Sequence, residues 1–479
     1  MNAPILKLFG LFLVLFAGLV AFTSWNSVIN AESYRENALN QRGLIEEQRI
    51  RRGLIRARGG DLLARSVQGE AGLFTRRYTD AAELFAHAIG YSFIGRGRAG
   101  LERERNEALI GERNALTSVF DELRGEQQEG DNIITNLDPG AQRVAQRALN
   151  GRKGSIVAIE PETGKVRVML SVPGYDPGDV RDNATFRRLN SDEDNAPLVN
   201  RATQSTYPPG STFKVVTAAA ALDSGRFTPD STVNGDSGKP ISGVPLANFG
   251  GKDFGSITLT TALTNSVNTV WGQVAEQLGK ETMDQYMERF GFNAEPPMDY
   301  PKQQLVPSGI YAEDGELLDV ESQAVDIGRV AIGQERLLVT PLQMAMVAAA
   351  VANGGELIQP RLTDRIVDRD GRTIEEIEPE SMGRVMKRST AAQLTAMMGR
   401  VVEEGTGTAA ALSGIDVAGK TGTAEIVAET DVNQPWFIGF APQGGPEIAI
   451  AATIERQQGG QGGVDAAPIA KAVLQELLG

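Results

Sequence analysis

Residues 211–214, Ser-Thr-Phe-Lys, place a hydroxyl three positions before an amine. Residues three apart share one face of a helix, so Lys214 can reach the oxygen of Ser211. A serine hydroxyl is a weak nucleophile and needs a base. Lysine can act as that base only when neutral, which requires burial or a nearby cation to lower its pKa from about 10.4. The pair predicts an activated nucleophile; the alternative is a helix-capping serine beside a surface lysine.

Two more short motifs follow in chain order. Residues 266–268, Ser-Val-Asn, offer a hydroxyl and an amide between two helical stretches. Residues 420–423, Lys-Thr-Gly-Thr, open a β run with a cation, two hydroxyls and a glycine that lets a bound backbone approach closely. Each motif alone also fits a polar loop or turn. Ser-x-x-Lys, Ser-x-Asn and Lys-Thr-Gly in this order are typical of penicillin-binding proteins and class A β-lactamases.

Composition excludes several other kinds of site. The 479 residues include no cysteine and one histidine, so a thiol nucleophile and a multi-histidine metal centre are excluded. The histidine, His87, lies in an apolar helical pattern, which favours a structural role over that of a catalytic base. A net charge of -14 opposes binding to nucleic acid. No cofactor is expected.

A phosphate-binding pattern also occurs. Residues 414–421 match Gly-x4-Gly-Lys-Thr, which binds nucleotides when a strand precedes it and a helix follows. Residues 409–413 do not read as a buried strand, and residues 421–427 are β-type. A nucleotide-binding protein is therefore only an alternative interpretation.

The N-terminus predicts a membrane anchor. Residues 8–22 carry no charge, and the apolar stretch extends over 5–25, about the length that spans a bilayer. A cleaved signal peptide is the alternative. Lys7 lies on one side and Arg35 and Arg42 on the other, so charge does not decide the orientation.

The order of the remaining elements predicts an α+β fold, an antiparallel sheet with helices on its faces. Ser211, Thr340 and Ser389 each begin a predicted helix, and residues 101–124 read as another. Residues 155–159 and 165–172 form a predicted hairpin. Later elements are β runs at 421–427, 436–440 and 447–454, and a helix at 466–478.

Together these features resemble a class B penicillin-binding protein, and they are most similar to the actinobacterial penicillin-binding protein A type. The resemblance covers nearly the whole chain and includes residues 52–55, 60–64, 207–214, 403–409, 419–425 and 436–442. It implies a five-stranded antiparallel sheet flanked by helices. The implied domains are a transmembrane anchor (1–30), an elongated non-catalytic domain of pedestal or dimerisation type (31–149) and a transpeptidase domain (150–479).

The resemblance also implies roles for the catalytic residues. Ser211 would be acylated by a D-Ala-D-Ala stem peptide of peptidoglycan, with Lys214 as the leading candidate for its base. Ser266 would relay a proton to the leaving D-alanine. Asn268 would orient Lys214 and bind the substrate amide.

Substrate binding is implied for the third motif. Lys420 would supply positive potential, and the hydroxyls of Thr421 and Thr423, on either side of Gly422, would hold the terminal carboxylate. Backbone N–H groups of Ser211 and Thr423 would form the oxyanion hole.

The resemblance implies that the acyl group passes to an amine of a neighbouring stem peptide, and that β-lactams trap Ser211. It implies a single-pass protein of the cell membrane with its catalytic domain outside the cytoplasm. A glycosyltransferase, or proteins of the cell-division or elongation machinery, would be its partners. Two alternatives stay open: a D,D-carboxypeptidase that uses water, and a mainly non-catalytic cell-wall assembly scaffold.

Overall fold

The N-terminal helix carries exposed apolar side chains, which none of the described residues covers. The computed structural model describes residues 2–29, 47–69, 72–111, 129–427 and 430–479. Helix α1 is Asn2–Ser24, followed by a π-type turn, Trp25–Ile29. The segment Pro4–Ser27 is long and apolar enough to cross a membrane, and none of it is buried. This fits the predicted anchor.

The central sheet is antiparallel. Its strands are β1 (Gly154–Ile159), β2 (Val166–Val172), β3 (Ala418–Val427), β4 (Val432–Ala441) and β5 (Ile448–Ile454). They lie in the order β3-β4-β5-β1-β2, so the predicted hairpin forms one edge and the strand of the third motif forms the other. The five predicted strands are confirmed; a two-residue strand, Gln457–Gln458, additionally pairs with β4.

Both faces of this sheet are buried, which explains why β1 and β5 are almost entirely apolar. On one face, Ile156 packs with helices α2 (Pro139–Leu149) and α7 (Ala467–Leu478). On the other face, Val157 belongs to the larger core with helices α3 (Lys214–Asp223) and α5 (Pro341–Ala352). Neighbouring residues of a strand point to opposite faces, so a strand buried on both sides needs no polar alternation.

Two predicted helix starts have different outcomes. Thr340 caps α5 as predicted, because its hydroxyl oxygen accepts the N–H of Gln343 at 3.1 Å. The predicted cap at Ser389 is wrong: helix α6 is Arg388–Glu403, and Lys387 precedes it without a side-chain cap. Instead, the buried Asp223 carboxylate accepts the Lys387 N–H at 2.8 Å, so a distant residue anchors this helix start.

A second sheet lies in the N-terminal part. Its strands, in spatial order, are Thr373–Glu376, Thr363–Val367, Asn132–Thr135, Ile55–Arg56, Leu62–Gln68 and Phe74–Tyr78. The first two of these come from the chain segment after α5. A hairpin from the C-terminal part of the chain therefore completes the N-terminal sheet.

The continuous helix predicted over 101–124 is wrong where the structure describes it. Two short helices, Gly100–Glu104 and Asn106–Ile110, meet at Arg105, and residues 112–124 lie outside the described residues. The Arg105 guanidinium donates to Thr363 Oγ1 at 3.0 Å and to Asp299 Oδ2 at 2.9 Å. Arg105 therefore makes its hydrogen bonds to distant residues at the point where the predicted helix is interrupted.

The remaining elements are further α-helices and small groups of paired strands. Further helices are Ala86–Ile89, Asn183–Ser191, Leu259–Thr264, Lys280–Arg289 and Ile327–Val330. Paired strands are Ser92–Phe93 with Gly97–Arg98, Thr232–Asn234 with Ser256–Thr258, Lys239–Ile241 with Val244–Leu246, Glu356–Ile358 with Ser381–Arg384, and Gly309–Tyr311 between Leu317–Leu318 and Leu337–Leu338.

His87 has the structural environment that its apolar context predicts. It is buried, its Nε2 lies 2.8 Å from the carbonyl oxygen of Pro197, and its ring meets Tyr175 edge-on. Burial lowers its pKa to about 4. A neutral imidazole bonded to Pro197 fits a core residue and not a serine-activating base.

Candidate active site

Ser211, the predicted nucleophile, lies in a tight turn ahead of helix α3. Gly210–Phe213 form a 3-10 turn, so α3 begins at Lys214, three residues later than the sequence predicted. Two contacts hold the preceding residues: Tyr207 exchanges backbone hydrogen bonds of 2.9 and 2.8 Å with Val339, and the Trp436 indole donates to the Pro208 carbonyl at 3.0 Å. The segment that leads to Ser211 is thereby held by strand β4 on one side and by the residues before helix α5 on the other.

Glycine makes this turn possible. Gly210 has a φ of 53°, which favours glycine, and its N–H donates to Gly333 O at 2.9 Å. A Cβ on Gly333 would lie 1.9 Å from Gly210 O, and one on Gly422 would lie 2.7 Å from Pro209 O. The nucleophile turn therefore packs directly against the backbone of two other segments, one of them in β3.

Lys214 Nζ lies at the centre of the site. It is 2.9 Å from Ser211 Oγ, 2.8 Å from the carbonyl oxygen of Ser266 and 2.7 Å from Asn268 Oδ1. Ser266 Oγ is also within 3.3 Å. The first two sequence motifs thus meet at one amine.

A second buried lysine stands beside the first. Lys420 Nζ donates to Ser266 Oγ at 2.9 Å and to the carbonyl oxygen of Thr421 at 2.9 Å. Burial lowers the Lys420 pKa to about 7. Burial, and then the positive charge of Lys420, holds the Lys214 pKa well below its usual value of 10.5. The Ser266 hydroxyl lies between the two amines.

Ser266 has an uncommon backbone conformation. Its φ of 58° lies in the left-handed region, which non-glycine residues adopt rarely and mostly at functional sites or turns. The turn connects Leu259–Thr264 to helix α4 (Asn268–Leu278) and directs both oxygens of Ser266 at Lys214. The Asn268 amide donates to Ala247 O at 3.0 Å, which fixes its oxygen towards the lysine.

Strand β3 carries the third motif next to the nucleophile turn. A Cβ built on Gly210 would lie 3.0 Å from the Thr423 carbonyl carbon, so the two backbones are in contact. Thr421 Oγ1 lies 2.6 Å from Thr406 Oγ1, and Thr423 Oγ1 accepts the Gly462 N–H at 3.1 Å. The structure therefore brings all eight predicted site residues together: Ser211, Lys214, Ser266, Asn268, Lys420, Thr421, Gly422 and Thr423.

The same strand excludes the nucleotide-binding interpretation. Lys420 and Thr421 lie inside β3, paired with Ile438 and Phe437 of β4. A phosphate-binding loop requires a helix at this point.

Sequence reasoning missed Gly333 and assigned no role to Thr406. Gly333 is an isolated glycine whose contact with Gly210 comes from folding alone. Thr406 stands between two glycines, which indicates a tight loop but not its contact with Thr421.

An antiparallel sheet flanked by helices, with a serine and a buried lysine at the start of a core helix, defines a serine acyl-transferase of the penicillin-binding type. The chain belongs to the penicillin-binding protein transpeptidase family: the model "Penicillin binding protein transpeptidase domain" matches residues 154–475. A second model, "Penicillin binding protein A dimerisation domain", matches residues 52–133. The family predicted from the motifs is confirmed.

Relatives match over nearly their full length. Peptidoglycan D,D-transpeptidase PbpA of Mycolicibacterium smegmatis is 33% identical, with 100% of this chain and 99% of the relative covered. Penicillin-binding protein A of M. tuberculosis, solved as a ceftriaxone acyl-enzyme complex, has a TM-score of 0.81 at 31% identity over 91% of this chain and 100% of that one. A D,D-transpeptidase domain from Eggerthella lenta has a TM-score of 0.79 at 33% identity, covering 90% of this chain and 98% of that one.

The glycine contact beneath the nucleophile gives a first testable prediction. In Gly422→Ala, the new Cβ lies 2.7 Å from Pro209 O and 3.0 Å from Thr212 Cγ2, so the nucleophile turn must shift. A displacement of a reacting group by about 1 Å costs on the order of 10²-fold in rate. We expect the rate of acylation by a fluorescent penicillin to fall by about that factor.

Gly444→Ala is the matched control, because a Cβ there has no atom within 4 Å and the residue lies outside the site. It should be acylated at the wild-type rate. Equal rates for Gly422→Ala and Gly444→Ala would contradict the proposed close packing of β3 on the turn.

Proposed function

We propose that this chain is a peptidoglycan D,D-transpeptidase in which Ser211 forms an acyl-enzyme with D-Ala-D-Ala stem peptides and β-lactams inhibit that step. The observation that carries the proposal is the position of Lys214 Nζ, 2.9 Å from Ser211 Oγ, with the lysine fully buried and the serine partly exposed. Membership of the transpeptidase family supplies the reaction class.

Hydrogen-bond counting supports Lys214 as the base. A neutral amine has two N–H donors and one lone pair. Ser266 O and Asn268 Oδ1 can only accept, so they take both N–H groups. The lone pair then faces the Ser211 hydroxyl and can accept its proton. Burial and the charge of Lys420 lower the Lys214 pKa and so favour this neutral form.

Acylation begins at the Ser211 hydroxyl. Ser211 Oγ attacks the carbonyl carbon of the penultimate D-alanine, and its proton passes to Lys214. The peptide C–N bond breaks, and the leaving D-alanine amine receives a proton through the Ser266 hydroxyl, which contacts both lysines. An acceptor amine attacks the acyl-enzyme and loses a proton by the reverse route, which restores Ser211 and forms the cross-link.

Strand β3 supplies substrate binding in this proposal. Lys420 provides positive potential, and the Thr421 and Thr423 hydroxyls donate to the terminal carboxylate. The glycine contacts place the Ser211 turn against Thr423, where their N–H groups can bind the oxyanion. Donors fixed before the reaction stabilise charge that develops in the transition state.

The lowered pKa of Lys214 and the Lys420 pKa of about 7 together predict a pH profile. The second-order acylation constant for a carboxylate-bearing β-lactam reports pKa values of the free enzyme. Lys214 acts when neutral, so the rate rises with pH on the acid side. Lys420 acts when charged and has a pKa of about 7, so the rate falls as the pH passes that value. Because the two amines are close, the apparent pKa of each limb belongs to the pair of lysines and not to one of them.

A variant tests the alkaline limb. In Lys420→Arg the guanidinium stays charged, so the fall in rate near neutral pH should disappear while the acid limb remains. A stopped-flow series from acid to alkaline pH on the wild-type chain and on this variant makes the measurement. A wild-type rate that rises without interruption to alkaline pH would contradict the role of a charged Lys420.

Product analysis tests the function itself. The full-length chain is given a pentapeptide donor and an amine acceptor, and the products are separated by mass. We expect D-alanine release together with a donor–acceptor cross-link. Release with only the hydrolysed tetrapeptide would favour a D,D-carboxypeptidase, and no reaction would favour a non-catalytic scaffold.

The domain limits, topology and partners belong to the same proposal. Residues 1–30 would anchor the chain as a single span, residues 31–149 would form a non-catalytic domain, and residues 150–479 would form the transpeptidase domain. Because peptidoglycan is the substrate, the catalytic part would lie outside the cytoplasmic membrane. A glycosyltransferase or proteins of the division or elongation machinery would be partners.

A further inference from the structure

The side chain of Thr406 has no part in the mechanism above, yet it touches the substrate-binding strand. Its Oγ1 lies 2.6 Å from Thr421 Oγ1. Thr421 is buried, whereas Thr406 is exposed at the edge of the site. Its hydroxyl is therefore bonded to the residue proposed to hold the substrate carboxylate.

The backbone around Thr406 is held from two sides. Its N–H donates to Thr264 O at 3.3 Å, just before the turn that carries Ser266. On the other side, a Cβ built on Gly463 would lie 2.4 Å from Thr406 O. The loop is thus packed between Thr264, just before the second motif, and the turn Gly462–Ala466, which fixes where the Thr406 hydroxyl points.

The protons of the Thr406 and Thr421 hydroxyls determine what this contact can do. The two hydroxyls hold two protons, and their mutual hydrogen bond uses one. If Thr421 donates, its proton is not available to a substrate. If Thr406 donates, Thr421 is the acceptor and keeps its own proton for a carboxylate oxygen. A bound carboxylate favours the second arrangement, because it needs a donor from Thr421.

Thr423 shows the same arrangement independently. Its Oγ1 accepts the Gly462 N–H at 3.1 Å, which leaves the Thr423 proton free to donate. Each hydroxyl of the pair therefore has a neighbour that can donate to its oxygen. For Thr423 the donor is a backbone amide; for Thr421 it is Thr406.

We infer that Thr406 is a positioning residue for carboxylate recognition: its hydroxyl donates to Thr421 Oγ1 and so directs the Thr421 proton at the carboxylate of the acyl donor. The inference rests on the proposed function, because it concerns the same reaction. It also predicts that the effect of Thr406 depends on whether the substrate carries that carboxylate.

The test compares Thr406→Val and Thr406→Ser in the full-length chain. Second-order acylation constants are measured with benzylpenicillin, which carries the carboxylate, and with its methyl ester, which does not. We expect Thr406→Val to lower the constant for benzylpenicillin about tenfold, equivalent to about 1.4 kcal/mol. The constant for the ester should change less than about twofold. Thr406→Ser retains the hydroxyl and should keep the wild-type ratio of the benzylpenicillin constant to the ester constant.

Equal losses with both compounds in Thr406→Val would show that the substitution disturbs the nucleophile generally and would overturn the inference. A wild-type ratio of the benzylpenicillin constant to the ester constant in Thr406→Val would also overturn it. So would a fall in the benzylpenicillin constant of Thr406→Ser as large as that of Thr406→Val. Absence of acylation of the wild-type chain by benzylpenicillin is a distinct result, which would overturn the proposed function together with this inference.

Discussion

Replacing Ser211 with alanine should abolish covalent labelling of the chain by a fluorescent penicillin. Labelling requires an oxygen that opens the lactam ring and keeps the acyl group. In the described site, Ser211 Oγ is the hydroxyl within 2.9 Å of the buried Lys214 amine at the helix start, and alanine removes that oxygen. Ser266, the other hydroxyl on Lys214, accepts a hydrogen bond from Lys420 at 2.9 Å and is the relay in the proposed mechanism.

The matched control is Ser389→Ala, an exposed serine in helix α6 that the site does not use. It should label like the wild type. Labelling is followed by in-gel fluorescence after denaturation, which removes non-covalent binding. Undiminished labelling of Ser211→Ala would mean that another residue is the nucleophile.

Replacing Lys214 with methionine should lower the acylation rate by about 10²- to 10⁴-fold, the range typical of a lost general base. Methionine has similar length but no lone pair that can take the Ser211 proton. The site should still fold, because Lys214 is fully buried with a lowered pKa and methionine suits an apolar helix start. Stopped-flow acylation by benzylpenicillin gives the rate, and the thermal unfolding midpoint gives the stability.

Lys471→Met, in helix α7 and outside the site, is the control for loss of a lysine. It should keep the wild-type acylation rate. A Lys214→Met chain that folds normally and reacts within about threefold of the wild type would contradict the base assignment, since even weak general-base catalysis contributes more.

The chemistry of the site could be predicted because each motif is short and its residues act locally. Ser211 and Lys214 are three apart, so any helical conformation brings them together. The meeting of Lys214 with Ser266 depends on a left-handed turn at Ser266, and no residue type there requires one. The order of the motifs indicated the family, whereas the contact itself comes from tertiary packing.

Long-range pairing explains what sequence reasoning missed in the fold. The hairpin formed by Thr363–Val367 and Thr373–Glu376 pairs with Asn132–Thr135, far earlier in the chain. Local patterns predict a strand but not its partner. The start of helix α6 depends in the same way on Asp223, whose carboxylate accepts the Lys387 N–H and the Thr390 hydroxyl.

The most direct test of the proposed function is to locate the acyl group after reaction with the natural type of donor. The full-length chain is mixed with a pentapeptide ending in D-Ala-D-Ala, quenched in acid within the first turnover and mapped by tandem mass spectrometry. The mechanism predicts one adduct, on Ser211, with the mass of the donor less one D-alanine. Release of D-alanine with an adduct on another residue, or with none at any quench time, would contradict it.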